Sequence, residues 1–333
     1  NLVICTASRE RTRKISQIVT GITSEHPGRV ILIEYQPEAS HAGLEVDTNI
    51  YCHLSAGGRQ QICCEQISIR SAGERIQQVP SLVRPLLVSD LPVFLWWADR
   101  FDLDSWLLAE MLKASDHLIF DSANWLSTHG KMASLAVFFE QRPGVAVSDL
   151  NWARLTPWRR LISGFFDCPA YRPYLGQLEH VEIHCGGADG DSRALSSQAW
   201  LLAGWLASRL KWEVHSKLHW VDADTCQWSW QSRKQRVTVQ VRRVSESDNG
   251  GLHSVQLGAA GEPSAQFTVS LASDGIHLKS SATLSGSEPI EGMLRLDEVG
   301  EEELVTKELL ILGHDRIYAQ GLKYLTRISH TVS

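Results

Sequence analysis

No apolar run in this sequence approaches the roughly 18 residues that a membrane-spanning helix needs, which excludes a helical span. Basic charge is not in excess: 32 Lys and Arg stand against 38 Asp and Glu, a net of −6. A chain with that balance is a poor phosphate-backbone binder, so no nucleic-acid partner is expected. The opening Leu2-Val3-Ile4-Cys5 is too short for a secretory signal, and the chain is expected in the cytoplasm. An initiating methionine is also missing, which points to native residues ahead of Asn1. Seven cysteines, an odd number without secretory context, favour free thiols in a reducing compartment.

The familiar chemical motifs are missing too. There is no Walker lysine, no G-x-S-x-G elbow, no HExxH pair and no standard zinc spacing. Neither a metal nor a cofactor is expected.

What the chain does hold is apolar surface. Of 333 residues, 43% are hydrophobic and 12 are tryptophan, enough for two cores. Leu2–Cys5 reads as a strand, Ser8 as the cap of a helix running to about Glu25, and Val30–Ile33 as a buried strand. This is a βαβ opening. Two alternating strands near 48–55 and 60–70 follow, joined at Gly57-Gly58. Then come a helix over 74–88 broken by Pro80 and Pro85, a strand over 93–97, a helix over 104–114 and a strand over 116–121. A helix near 131–141, a strand near 145–148 and a helix over 152–166 continue the alternation. Repeated β-α-β order predicts a Rossmann-like three-layer α/β domain over 1–166. Beyond it, a strand at 180–185 and a long helix with Leu195, Ala199, Leu202, Leu206 and Leu210 on one stripe lead into period-two segments at 237–241, 254–257, 266–271 and 275–281. Helices near 300–312 and 314–328 close the chain. The expectation for 167–333 is an α+β domain with a mostly antiparallel sheet.

Two glycine questions decide the nucleotide reading. The first βα turn, Cys5-Thr6-Ala7-Ser8-Arg9-Glu10, has no glycine, so a pyrophosphate cannot approach its backbone in the usual way. The loop Gly186-Gly187-Ala188-Asp189-Gly190-Asp191 lies between a strand and a helix start, but its two aspartates oppose phosphate. An enzyme on a degenerate Rossmann-like scaffold, with a phosphorylated ligand at that loop, is the alternative to a binding protein.

The cysteines supply a geometric expectation. A two-residue turn at Gly57-Gly58 pairs positions that sum to 115, which sets Cys52 opposite Cys63 at about 4.5–5.5 Å between Cα atoms. A disulfide can form over that separation, although two reduced thiols are the favoured state. Cys64 points to the other face of its strand.

The most distinctive stretch spans 79–97. It contains Pro80, Pro85 and Pro92 and ends in Leu91-Pro92-Val93-Phe94-Leu95-Trp96-Trp97. It resembles the signature of the glucose-6-phosphate dehydrogenase assembly protein, the OpcA family. Glu25-His26-Pro27-Gly28-Arg29-Val30-Ile31, Ile62-Cys63-Cys64-Glu65-Gln66-Ile67 and the end near 313–325 also fit. The resemblance implies a non-catalytic partner of glucose-6-phosphate dehydrogenase that promotes its active oligomer and supports NADPH supply. In photosynthetic relatives it implies thioredoxin-dependent redox control, for which Cys52, Cys63 and Cys64 are the candidates. The expected contact residues are Arg84, Pro85, Asp90, Pro92 and Trp97, with Trp96 in the core. The alternative is that both indoles serve the core alone.

Overall fold

A computed structural model describes residues 1–54, 61–99, 101–124, 129–187, 194–244, 251–297 and 299–328. The first half opens with β1 (Leu2–Thr6), α1 (Arg9–Glu25), β2 (Val30–Gln36), β3 (Gly43–Leu54) and β4 (Gln61–Ala72). It continues through α2 (Val79–Val83), β5 (Phe94–Trp97), α3 (Trp106–Leu112), β6 (His117–Phe120), α4 (His129–Glu140), β7 (Ala146–Asp149), α5 (Leu150–Arg154) and α6 (Thr156–Phe165). The second half comprises β8 (Leu178–Cys185), α7 (Ser197–Leu210), β9 (Glu213–Trp220), β10 (Thr225–Gln231), β11 (Arg236–Arg243), β12 (Leu252–Ala259), β13 (Ala265–Leu271), β14 (His277–Leu284), β15 (Ile290–Arg295), α8 (Glu301–Glu308) and α9 (Arg316–Ile328).

The first sheet runs β3-β4-β2-β1-β5-β6-β7. All its pairings are parallel except β3 with β4. β1, β5 and β6 are buried at every residue, as a parallel strand covered on both faces must be. Ser8 caps α1 as its sequence suggests, its Oγ accepting from Arg11 N–H at 3.3 Å. The 74–88 segment is broken as its prolines require: 3₁₀ turns at Gly73–Gln78 and Arg84–Leu86 flank the single turn of α2.

The second sheet runs β15-β14-β13-β12-β8-β11-β10-β9. It is mostly antiparallel, but β8 pairs with β11 in parallel. The period-two segments therefore do not form one meander. β8 lies between β11 and β12, and the meander proper is β12 to β15. One face alternates inward with Val181, Ile183, Val239, Val255 and Phe267. Trp200 of α7 stacks on Trp228 at 5.8 Å between centroids. A glycine lets α7 and α9 approach: a Cβ on Gly204 would lie 2.4 Å from Gly321 O.

By compactness the chain forms two units, 1–124 with 141–150 and 299–315, and 125–140 with 151–298 and 316–333. These are not the linear segments 1–166 and 167–333. The reason is packing. α4 lies on α9, where Lys323 meets Glu140 at 3.0 Å, and α6 lies on β13 and β14, so both helices join the second unit. α8 packs on α1 and joins the first.

Candidate functional site

The carboxyl ends of the strands are where open α/β sheets bind ligands. At that end of the first sheet, the turn from β1 into α1 is held by Thr6 and Ser8. Thr6 Oγ1 accepts from Ser8 N–H at 3.3 Å. The backbone donor just before it, Ala7 N–H, donates to the carboxylate of Asp99, which follows β5. A helix start attracts anions, and here the chain supplies its own. Arg11, one turn along, donates to Ala98 O at 3.1 Å and pairs with Glu301. Behind the turn, Cys5 is fully buried; burial first, and then the charge of Asp99, push its thiol far above the usual range.

Beside this turn lies an open cavity of about 420 Å³, lined by Arg9, Thr12, Arg13, Glu34, Glu45 and Arg70. A smaller one of about 60 Å³ adjoins it and adds Gln36, His41 and Ser71 to the lining. Glu34 ends the apolar run of β2 and is 5% exposed. Its Oε1 accepts from Arg9 Nε at 3.3 Å and Gln36 Nε2 at 3.2 Å. Arg70 pairs with Glu45 and Asp47, each at 2.9 Å. These residues were not among those singled out from the sequence. The available signal was an acid closing the second strand of a βαβ unit, the position that meets ribose hydroxyls in dinucleotide folds.

The expected contact residues divide between opposite ends of the sheet. Arg84, Pro85, Asp90 and Pro92 are exposed. The stretch they flank runs along the amino ends of the strands. There Arg29 Nη1 donates to Leu86 O at 2.6 Å, and the Asn1 side chain donates to Val88 O and Leu91 O at 3.0 and 3.1 Å. Arg84 lies 3.7 Å from Glu110. Asp90 has φ 63°, the left-handed region. Val93 N–H donates to Asp116 Oδ2 at 2.8 Å, just ahead of β5.

Trp97 corrects the expectation. It is 1% exposed and Trp96 0%, so neither indole is on the surface. They do alternate across the sheet, but both faces are covered. The Tyr35 ring lies 5.5 Å from that of Trp97.

Among the cysteines the register holds. Cys52 opposes Cys63, and every pair between β3 and β4 sums to 115. The turn itself, 55–60, lies outside the described residues. The two cysteines form a disulfide, with Cα atoms 4.0 Å apart, in place of the two reduced thiols favoured from the sequence. The antiparallel register holds the two side chains on one face at bonding distance. Both are exposed, whereas Cys64 is buried with its thiol against Thr23 O at 3.6 Å. Burial pushes the Cys185 and Cys226 thiols up to about 12, and Cys168 is the exposed free thiol. Of the 186–191 loop, Gly186 and Gly187 are described; positions 188–191 lie outside. Among the described residues no group of three or more His, Cys, Asp or Glu is placed to hold a metal ion.

Comparison with known proteins adds three findings. Residues 19–137 match the family described as glucose-6-phosphate dehydrogenase subunit N-terminal domain, and residues 145–322 match its C-terminal domain. The OxPP cycle protein OpcA of Synechocystis sp. is 24% identical over 322 residues, 94% of this chain and 66% of that protein. Its namesake in Nostoc punctiforme is 28% identical over 198 residues, 59% of this chain and 41% of that protein. The chain thus spans between two fifths and two thirds of the length of these relatives. Among solved structures, KijD10, a 3-ketoreductase from Actinomadura kijaniata in complex with TDP-benzene and NADP, is similar at a TM-score of 0.53 and 10% identity, covering 98% of this chain and 94% of that one. The oxidoreductase YvaA of Bacillus subtilis has a TM-score of 0.51 at 7% identity, with 98% and 94% covered. At such identities the likeness is one of fold.

Proposed function

The chain belongs to the glucose-6-phosphate dehydrogenase subunit (OpcA) family, and from that membership we propose that it is a non-catalytic protein that binds glucose-6-phosphate dehydrogenase and promotes its active oligomer. In that role it supports the oxidative pentose phosphate pathway and NADPH supply. The observation that carries the reading is the match of both family domains, over 19–137 and 145–322. The first βα turn supports it physically. Its Ala7 N–H is taken by Asp99, so a dinucleotide pyrophosphate would meet a carboxylate in the place where the fold offers backbone donors. The exposed Arg84, Pro85, Asp90 and Pro92 are the contact residues of this reading. The exposed Cys52–Cys63 pair is its redox element, with thioredoxin as the reductant.

An activator must bind the active state of its target more tightly than the inactive one. Titrating the dehydrogenase of the same organism with this chain should therefore give a saturable change in rate or sugar-phosphate affinity, and a larger species by light scattering. The chain alone with NADP⁺ and sugar phosphates should give no turnover. A titration that leaves rate, affinity and oligomer size unchanged overturns the reading.

A further inference from the structure

The cavity between α1, β2 and β4 carries unsatisfied chemistry of two kinds. The first is anionic in preference. Arg9 is 73% exposed on its side chain and engages Glu34 through Nε alone, which leaves its two Nη groups without a partner among the described residues. Arg13 is exposed on the next turn and makes no ion pair among the described residues. Two free guanidinium ends on one cavity wall are a phosphate's preferred partners, because each offers paired N–H donors.

The second kind accepts hydrogen bonds. Among the described residues Glu34 accepts through Oε1, and Oε2 receives no donor. Ser71, 3% exposed, lines the adjoining space with its Oγ unpartnered. A buried hydroxyl left without a partner is costly, so a ligand group that pairs with Ser71 Oγ gains the difference, and Glu34 Oε2 offers an accepting oxygen in the same lining. A bare phosphate cannot do this well: even through its P–OH it brings negative charge against that of Glu34. A hydroxyl can.

We propose that this cavity binds a small phosphorylated sugar, with its phosphate on Arg9 and Arg13 and a hydroxyl donating to Glu34 Oε2. A cavity of about 420 Å³ holds a ligand of that size. The proposal is independent of the partner assigned above. The same chemistry has two sources, a free sugar phosphate and the phosphorylated ribose of a nucleotide.

Isothermal titration of the full chain distinguishes them. Ribose 5-phosphate stands for the free sugar and adenosine 2′,5′-bisphosphate for the nucleotide, with inorganic phosphate and ribose as the separate halves. At least one of the two phosphorylated sugars should bind about tenfold more tightly than either half. The tighter of the two identifies the source. Arg13→Ala, an exposed substitution, should weaken that ligand about tenfold with an unchanged melting temperature. Glu34→Gln should remove the advantage over inorganic phosphate while phosphate itself binds no worse. If neither phosphorylated sugar exceeds inorganic phosphate, or if Arg13→Ala binds as tightly as the parent, the assignment is wrong.

Discussion

Replacing Trp97 with alanine tests whether the 79–97 signature acts as a core element or as a contact. Trp97 is 1% exposed, lies between the β1 and β6 sides of the sheet and is flanked by Tyr35. A tryptophan of this kind buries about 150–250 Å², which at about 25 cal/mol per Å² corresponds to about 4–6 kcal/mol. Part of that returns as the site relaxes, and measured losses for such truncations are about 3–5 kcal/mol. In a unit of this size each kcal/mol moves the melting temperature by about 2–4 °C, so a fall of about 6–20 °C is expected. The companion substitution is Arg84→Glu on the amino side of the same segment. Arg84 is half exposed and its ion pair with Glu110 is long, at 3.7 Å, so stability should change by less than about 1 kcal/mol. Differential scanning fluorimetry reads both variants, and co-elution with the dehydrogenase reads the contact. Arg84→Glu should weaken the complex at an unchanged melting temperature. The reasoning is refuted if Trp97→Ala melts within about 2 °C of the parent yet loses the partner.

Two further outcomes follow from other parts of the chain. Native alkylation should label Cys168 before reduction and Cys52, Cys63 and Cys168 after it, because Cys5, Cys64, Cys185 and Cys226 are buried. The Cys52→Ser, Cys63→Ser pair of substitutions should cost about 3 kcal/mol through the freed loop, and three labels without reductant would contradict the bridge. The second outcome concerns His117. Burial first, and then His314, push it down to about 4 from 6.5, with its Nε2 2.8 Å from Ser148 Oγ. The unfolded chain takes up that proton near pH 6.5 and the folded chain only near pH 4. Stability should therefore fall as pH drops through that window, by about 3 kcal/mol at most. Burial raises the Glu308 carboxyl, which accepts from Ser148, and this works in the opposite sense above about pH 4.5. Urea midpoints from pH 7 to pH 4 should show a flatter slope for His117→Asn; an identical slope removes His117 as the cause.

What the sequence determined by itself is what depends on near neighbours. Ser8 caps α1 because its Oγ reaches a backbone N–H three residues on. Pro80 and Pro85 break the 74–88 helix because the ring removes a donor wherever it sits. The β3–β4 register followed from a turn position, since an antiparallel pair has one free parameter once its turn is placed. Strands β9, β10 and β15 were missed: all four residues from Ile290 to Met293 of β15 are exposed, so it has no inward face to mark it.

Other features belong to the tertiary structure alone. Alternation told that Trp96 and Trp97 face opposite ways, but not that layers cover both faces. Asp99 reaches Ala7 across 92 positions, and Arg9 meets Glu34 and Arg70 around one cavity only once β2 and β4 lie side by side. Such meetings depend on which strands become neighbours. The helices obey the same limit. The apolar residues of α4 and α6 say that each needs a surface to cover, and it was the packing of α9, β13 and β14 that decided which surface it would be.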